Sequence, residues 1–349
     1  MRAVVLAGPG ALRVEDIAPP RSSGRALVAV REVGICGTDM KILSGSVPVT
    51  YPRVLGHEMV GEVVEAGPHN TFAPGDRVLL DPSVSCGNCV RCRRGEAHLC
   101  GQGGLMGRDL DGVFTEFVAV DEHQMFALPG DILWEHGPLL QILGTCVHGQ
   151  SLVQADPGQV AVVLGLGVSG LLQVQLLRAR GVDTVIGVTR SASKLRLAQT
   201  LGATDVATPD QAQELVAELT NGEGADLVVE SSGTLAGLRT VVRLSRPAAT
   251  VLLFGTISDT SGEFPYYLLY YKELSLLSSR GALPRDYAAA IDHVAGNRVR
   301  LEPLLWKQFR LEDAAAAMDA CGKGDGVLKV TMHVGSPSEP SPDAPEGRS

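Results

Sequence analysis

Four of the chain's seven cysteines crowd into fifteen residues, as Cys86-x2-Cys89-x2-Cys92-x7-Cys100. Thiolates at this spacing can wrap one tetrahedral Zn²⁺ and close its coordination sphere, leaving no position open for substrate. Such a site holds a loop in shape. The rival is an iron–sulfur cluster, whose bacterial motifs place the fourth cysteine three residues after the third and follow it with Pro. Here seven residues intervene and Gly101 follows Cys100, so the spacing points to structural zinc. The uneven distribution also suits a metal site in a reducing compartment better than a disulfide framework.

A second group of candidate ligands lies upstream, in Gly34-Ile35-Cys36-Gly37-Thr38-Asp39 and Gly56-His57-Glu58. Taken singly, Cys36 reads equally as a small buried hydrophobe, His57 as a hydrogen-bonded core histidine and Glu58 as a solvated charge. The second motif continues as Glu58-x2-Gly61-x5-Gly67. A third feature is Gly165-Leu166-Gly167-Val168-Ser169-Gly170, between the apolar run Val160–Leu164 and a helical pattern. Gly-x-Gly-x-x-Gly in that setting permits a tight turn and brings a pyrophosphate close to a helix N-terminus. The positions assigned to the cofactor are Gly165, Leu166, Gly167, Val168 and Gly170. At the end of the next strand, where a carboxylate would hold the ribose of NAD, the sequence has Thr189-Arg190-Ser191. Arg190 and Lys194 flank a helix start, where the macrodipole disfavours cations unless a phosphate offsets it. Thr189, Arg190 and Lys194 therefore predict a preference for NADP(H) over NAD(H), the alternative being a solvated basic pair.

The elements that must carry these residues follow from periodicity. Residues 1–150 hold short strand-like runs cut by Gly and Pro, among them Ala26–Val30, Val60–Val64, Arg77–Leu80 and Phe114–Val120, and predict a β-rich lobe. Over 151–281 strands alternate with amphipathic helices, the pattern of βαβ units around a parallel sheet. Its strands are Val160–Leu164, Thr184–Val188, Leu227–Glu230 and Thr250–Phe254. Its helices are Val168–Arg180 and Ser191–Leu201, the latter capped by Ser191 with Gly202 just beyond. Residues 282–335, with a helix over Tyr287–Gly296, return to the first lobe. Residues 336–349 are too rich in Pro and Ser to bury a core and are expected to be a disordered tail.

Composition narrows the function. Hydrophobic residues make up 45% and charged residues 20%, with a formal net charge of -9. No basic block offsets that charge, which argues against nucleic acid or an anionic membrane as partner. No apolar run is long enough to span a bilayer, and no signal peptide precedes the first strand, so a cytoplasmic location is expected.

With Cys-Gly-Thr-Asp, Gly-His-Glu-x2-Gly-x5-Gly and the four-cysteine loop in this order, the chain resembles the zinc-dependent medium-chain dehydrogenase/reductase family, in its alcohol, polyol and sugar dehydrogenase branch. The likeness covers roughly residues 1–334. It implies an α/β chain with a GroES-like β-rich catalytic domain and a Rossmann domain of doubly wound parallel sheet. Two zincs per chain are implied, one structural and one catalytic, with Cys36 and His57 ligating the second. Thr38 would hydrogen-bond the substrate hydroxyl and begin a proton relay, and Asp39 would orient His57. Lys41 stands where many relatives place a relay histidine. The resemblance also favours NADP(H), through Arg after a small residue.

One ligand departs from the family pattern. Relatives of the polyol and threonine type carry glutamate where this chain has Gln141. An amide brings no charge, so Zn²⁺ with thiolate Cys36, neutral His57 and Gln141 keeps one positive charge unless Glu58 joins. Glu58 is a candidate for the third ligand, and Cys146 a weaker one. Glu116 is a candidate for binding a substrate hydroxyl, with surface exposure as its alternative. The implied substrate is a small secondary alcohol or ketone, a polyol, sugar or cyclitol, with a threonine-type amino alcohol as the other branch. Phe264–Tyr271 is apolar enough for a subunit interface, and the family implies a homodimer or homotetramer. Two further readings are a non-catalytic NADPH-binding protein and a zinc-independent quinone or enoyl reductase. Bound zinc separates the first, at one ion per chain rather than two. The four-cysteine loop speaks against the second.

Overall fold

The run Val160–Leu164 is apolar throughout because both faces of its sheet are covered, and it is buried almost without interruption. It stands in a six-stranded parallel sheet whose order is Asp205–Ala207, Thr184–Val188, Val160–Leu164, Ala225–Glu230, Ser245–Leu253, Ser275–Ser278. Numbered within the sheet this is 3-2-1-4-5-6, the doubly wound dinucleotide-binding order. The strand order reverses between Val160–Leu164 and Ala225–Glu230, and ligands of such sheets bind outside the carboxyl ends of the strands at that point. The aliphatic core under this sheet includes Val162, Ile186, Val228 and Val251, all without exposed surface.

The computed structural model describes residues 1–259, 261–321, 323 and 326–335. The chain divides into two units, Met1–Gln141 with Leu305–Lys323 and the segment from Lys329, and Ile142–Leu304 with Gly324–Leu328. The boundaries expected at 150 and 281 therefore move to 141 and 304. The helix Pro284–Ala295 belongs with the parallel sheet, and return to the first unit begins only at the strand Leu305–Arg310. The expected tail, 336–349, lies outside the described residues.

The first unit is built on a mixed sheet in the order Met125–Ala127, Arg77–Leu80, Glu58–Glu65, Ala26–Gly34, Lys329–His333, Leu305–Arg310, with Phe117–Val120 also pairing Ala26–Gly34. Ala26–Gly34 alternates buried and half-buried residues over its first half, then becomes fully buried from Glu32 to Gly34. There Glu58–Glu65 pairs it on one side and Lys329–His333 on the other, setting Gly34 opposite both Glu58 and Thr331. That register brings the end of Ala26–Gly34, the start of Glu58–Glu65 and the middle of Lys329–His333 around one point. No helix among the described residues is long and apolar enough to cross a membrane.

Candidate functional site

Cys36 follows the strand Ala26–Gly34 and caps the short helix Gly37–Leu43, while His57 immediately precedes the strand Glu58–Glu65, which Glu58 opens. Sγ of Cys36, a ring nitrogen of His57 and a carboxylate oxygen of Glu58 lie within 4.8 Å of one another. Asp39, with no exposed surface, ties two of them together. The Cys36 amide donates to Asp39 Oδ2 at 2.8 Å, and Asp39 Oδ1 lies 3.5 Å from His57 Nδ1. One carboxylate thus fixes both the backbone that carries the thiol and the ring that would face a metal. Burial pushes the His57 ring toward its neutral form, but Asp39 and Cys36 outweigh it and raise its pKa well above the ordinary histidine value. Surroundings that draw a proton to His57 would equally draw a cation.

Glu58 is buried, with Oε2 in an ion pair to the Lys329 ammonium. Lys329 is buried too and donates to the Ile35 carbonyl at 2.8 Å. Glu58 Oε1 is buried without a hydrogen-bond partner among the described residues. An orphaned carboxylate oxygen beside a cysteine and a histidine fits a metal donor set. Gly34 makes room for the pair: a Cβ there would lie 2.3 Å from Glu58 Oε2 and 2.6 Å from Lys329 Cε. Lys329 was not among the residues singled out from sequence; its only local sign is a cation inside the apolar run Val327-Leu328-Lys329-Val330.

Thr38 and Lys41 are half-buried on the helix that Cys36 caps. Gln141 is buried on the helix Gly137–Ser151, which also carries Cys146. Cys146 is a packing residue: its thiol points to the Ser169 carbonyl at 3.7 Å, and burial raises its pKa strongly. Glu116 pairs with Arg2: the Arg2 amide donates to its Oε2 at 2.8 Å and the guanidinium to its Oε1 at 2.7 and 2.8 Å. These bonds give the carboxylate a part in fastening the first strand, beside the substrate-binding role expected of it.

The second metal cluster is closed. Sγ–Sγ separations are 4.0 Å for Cys86–Cys92, 3.5 Å for Cys89–Cys92, 3.8 Å for Cys89–Cys100 and 3.6 Å for Cys100–Cys86. A zinc tetrahedron with bonds of about 2.3 Å has sulfur–sulfur edges of about 3.8 Å, so the four thiols already form its corners. The Cys86 amide, 3.4 Å from Cys100 Sγ, brings that thiol's pKa down to about 6. Cys92→Ser is expected to cost one zinc per chain and lower Tm by about 5–16 °C. That is the shift given by a quarter of the ~10–16 kcal/mol typical of structural zinc in a unit of this size. Zinc analysis by mass spectrometry with a thermal melt checks it, and an iron–sulfur absorbance band in the purified protein would refute the zinc assignment.

In the second unit the glycine loop follows the strand Val160–Leu164. A Cβ on Gly165, whose φ is +94°, would lie 2.5 Å from the Ser232 amide nitrogen, and one on Gly170 1.9 Å from the Gly165 carbonyl oxygen. Gly167 differs: it is exposed, with no atom within 4 Å of a Cβ placed on it. Protein packing therefore requires Gly165 and Gly170, while Gly167 leaves open space ahead of the helix Val168–Ala179, as close approach of a pyrophosphate needs. Leu166 turns inward, 1% exposed, so only its backbone faces that space. Thr189 is half-buried just past the strand Thr184–Val188, Arg190 is exposed, and the Lys194 amide donates to the capping Ser191 hydroxyl at 3.3 Å. No described carboxylate forms an ion pair with Arg190.

Comparison with known proteins agrees with this division. Residues 22–130 match the alcohol dehydrogenase GroES-like domain and residues 169–296 the zinc-binding dehydrogenase domain. L-threonine 3-dehydrogenase of Symbiobacterium thermophilum is 31% identical over 91% of this chain and 93% of its own. D-xylulose reductase A of Aspergillus oryzae is 30% identical over 95% and 96%. A protein of Sinorhizobium meliloti described as a zinc-binding dehydrogenase, solved bound to NADP, superposes with a TM-score of 0.88 at 34% identity, covering 95% of this chain and 98% of that one. Both domains are present in order and the relatives span nearly the full length, so the chain belongs to the zinc-dependent medium-chain dehydrogenase/reductase family and is an oxidoreductase of alcohols that uses zinc and a nicotinamide cofactor.

Proposed function

We propose that the chain interconverts a secondary alcohol and its ketone on a polyol, sugar or cyclitol, with NADP(H) preferred over NAD(H). The observation that carries this reading is the cluster of half-buried Cys36 with buried His57 and Glu58, Asp39 bridging two of its members. Cys36 and His57 would hold the catalytic zinc, with Glu58 or Gln141 as third donor, and Cys86, Cys89, Cys92 and Cys100 the structural one. Zinc supplies Lewis acidity, lowering the pKa of a substrate hydroxyl or polarising a carbonyl. Thr38 would hold the substrate hydroxyl and take its proton, and Lys41 would pass that proton outward. Asp39 keeps His57 in the ligating orientation. The xylulose reductase and the NADP-bound structure among the relatives support the substrate class and the cofactor.

Initial rates on a panel of polyols, sugars, cyclitols and amino alcohols, followed by nicotinamide absorbance, test the reading. Turnover of a polyhydroxy substrate is the expected outcome. Faster turnover of L-threonine would move the chain to the amino-alcohol branch, which the threonine dehydrogenase likeness favours. No turnover of any alcohol by protein holding two zincs would overturn the reading.

Cofactor choice is tested at Arg190. A guanidinium grips a 2′-phosphate bidentately, and a charge-assisted contact of about 1.5–3 kcal/mol corresponds to roughly 10–100-fold in affinity. Arg190→Ala should raise KM for NADP(H) by that factor and leave KM for NAD(H) within about twofold. Preference of the unmutated protein for NAD(H) would refute it.

A homodimer or homotetramer is proposed through the helix Tyr266–Tyr271. Its four tyrosines are 68–80% exposed, and Tyr267 stacks on Tyr271 at 5.7 Å. Amphipathic aromatic side chains of this kind are enriched at subunit interfaces.

A further inference from the structure

The strand Ala225–Glu230 ends in a carboxylate with no exposed surface. A buried anion is costly unless its lone pairs are filled, and here no described cation forms an ion pair with it. The turn that follows fills them instead. Oε1 accepts from the Ser232 amide at 2.9 Å, from the Ser232 hydroxyl, and from the Gly233 amide at 3.1 Å. Oε2 shares the Gly233 amide at 3.2 Å. Two glycines box the group in: a Cβ on Gly237 would lie 2.6 Å from Oε1, and one on Gly255 2.7 Å from Oε2. The helix Leu235–Leu244 begins just beyond, capped by Thr234, and its N-terminal end favours an anion.

The same turn is the wall against which the glycine loop rests. The Ser231 amide donates at 2.8 Å to the carbonyl of Leu164, the residue before Gly165. Ser232 backbone sits where a Gly165 side chain would begin, and the Gly165 carbonyl sits where a Gly170 side chain would begin. No slack remains from Ser232 through Gly165 to Gly170. A shift of the turn therefore moves the loop, at the point where the strand order reverses.

We infer that Glu230 is a positioning residue for dinucleotide binding: its buried carboxylate locks the Ser232–Gly233 turn, and the turn sets the glycine loop. This rests on the glycine loop being the cofactor site, as proposed above. Glu230→Gln tests it, since the amide keeps the shape but presents Nε2, a donor, where one oxygen accepted. The Kd and KM for NADP(H) and NAD(H) should rise about tenfold together. Turnover at saturating cofactor should stay within about twofold of the wild type, with two zincs still bound. Amide exchange should quicken at Ser232 and Gly233 and stay slow at Val162 and Ile186. Glu230→Asp, which keeps the charge but is shorter, should fall between the two. If Glu230→Gln fails to fold, Ser232→Ala, which removes only the hydroxyl donor, should still raise Kd several-fold. Unchanged cofactor affinity in Glu230→Gln, or in Ser232→Ala where that variant stands in, would overturn the inference. So would a loss of turnover and of domain-wide exchange protection equal to the loss of affinity, because both describe a merely structural group. Failure of the unmutated protein to bind either dinucleotide would overturn the reading of the loop and this inference with it. Unchanged affinity in the variant overturns this inference alone.

Discussion

His57→Ala is expected to reduce turnover by about 10³-fold or more while the protein stays folded and retains the zinc of the four-cysteine loop. Lewis-acid stabilisation is worth several kcal/mol, and each 1.36 kcal/mol is a factor of ten. The histidine sits between Asp39 and Cys36, so removing it takes away a donor and the group that Asp39 orients. Asp39 Oδ1, buried without a hydrogen-bond partner among the described residues, would lose the His57 ring 3.5 Å away, at up to about 1–3 kcal/mol, or roughly 2–12 °C in Tm. The four thiols and the parallel sheet make no use of His57, which is why the fold should survive. Zinc content should fall by one ion per chain, and cofactor Kd should hold. Turnover near the wild-type rate in this variant would end the zinc-dehydrogenase account of Cys36 and His57. Loss of both zincs would mean instead that the two clusters are not independent.

What the sequence could disclose tracked the range of the forces involved. Val160–Leu164, Thr184–Val188 and Arg77–Leu80 were legible to the residue, because each is a short apolar run bounded by turn residues. The helix Ala192–Thr200 declared itself through the Ser191 cap and through Gly202, which takes φ of +111°. The helix expected from Tyr287 begins three residues earlier, where Pro284 occupies the first turn and Asp286 bonds back to the Leu283 amide at 2.8 Å. Proline at that position is a start signal rather than a break. The strand expected over Thr250–Phe254 begins at Ser245, despite Pro247 and the left-handed Ala248, because pairing with Ala225–Glu230 carries it through an irregular register. That Cys36, His57 and Glu58, and separately the four cysteines, come together was legible because metal binding demands particular residue types at close spacing. Arg2 with Glu116, and Lys329 with Glu58, were not. Those pairs join distant parts of the chain through sheet register, and no local pattern encodes which buried charge meets which.

Lys329 carries the second large effect. With zinc held by the Cys36–His57–Glu58 cluster, as proposed above, the formal charges would be Zn²⁺, thiolate Cys36, Asp39, Glu58 and Lys329, which sum to zero with neutral His57. Without Lys329 the zinc-loaded site would carry one net negative charge. Breaking a buried ion pair by removing one partner costs about 3–5 kcal/mol, because the other charge is left uncompensated. Lys329→Met keeps the length of the apolar stem, so the loss is chiefly the ammonium and its hydrogen bond to Ile35. Metal-free Lys329→Met should therefore melt roughly 6–20 °C below the metal-free wild type. Zinc can take up the freed Glu58 carboxylate, so the loaded variant should recover most of that difference, and zinc should bind the catalytic site more tightly than in the wild type. An additional anionic donor weakens the metal as a Lewis acid, so turnover should fall even though the site is full. Thermal melts of the loaded and metal-free forms, with zinc titration and kcat, decide the matter. Equal destabilisation of both forms would show that Lys329 supports only the fold, with no competition between its ammonium and the metal for Glu58.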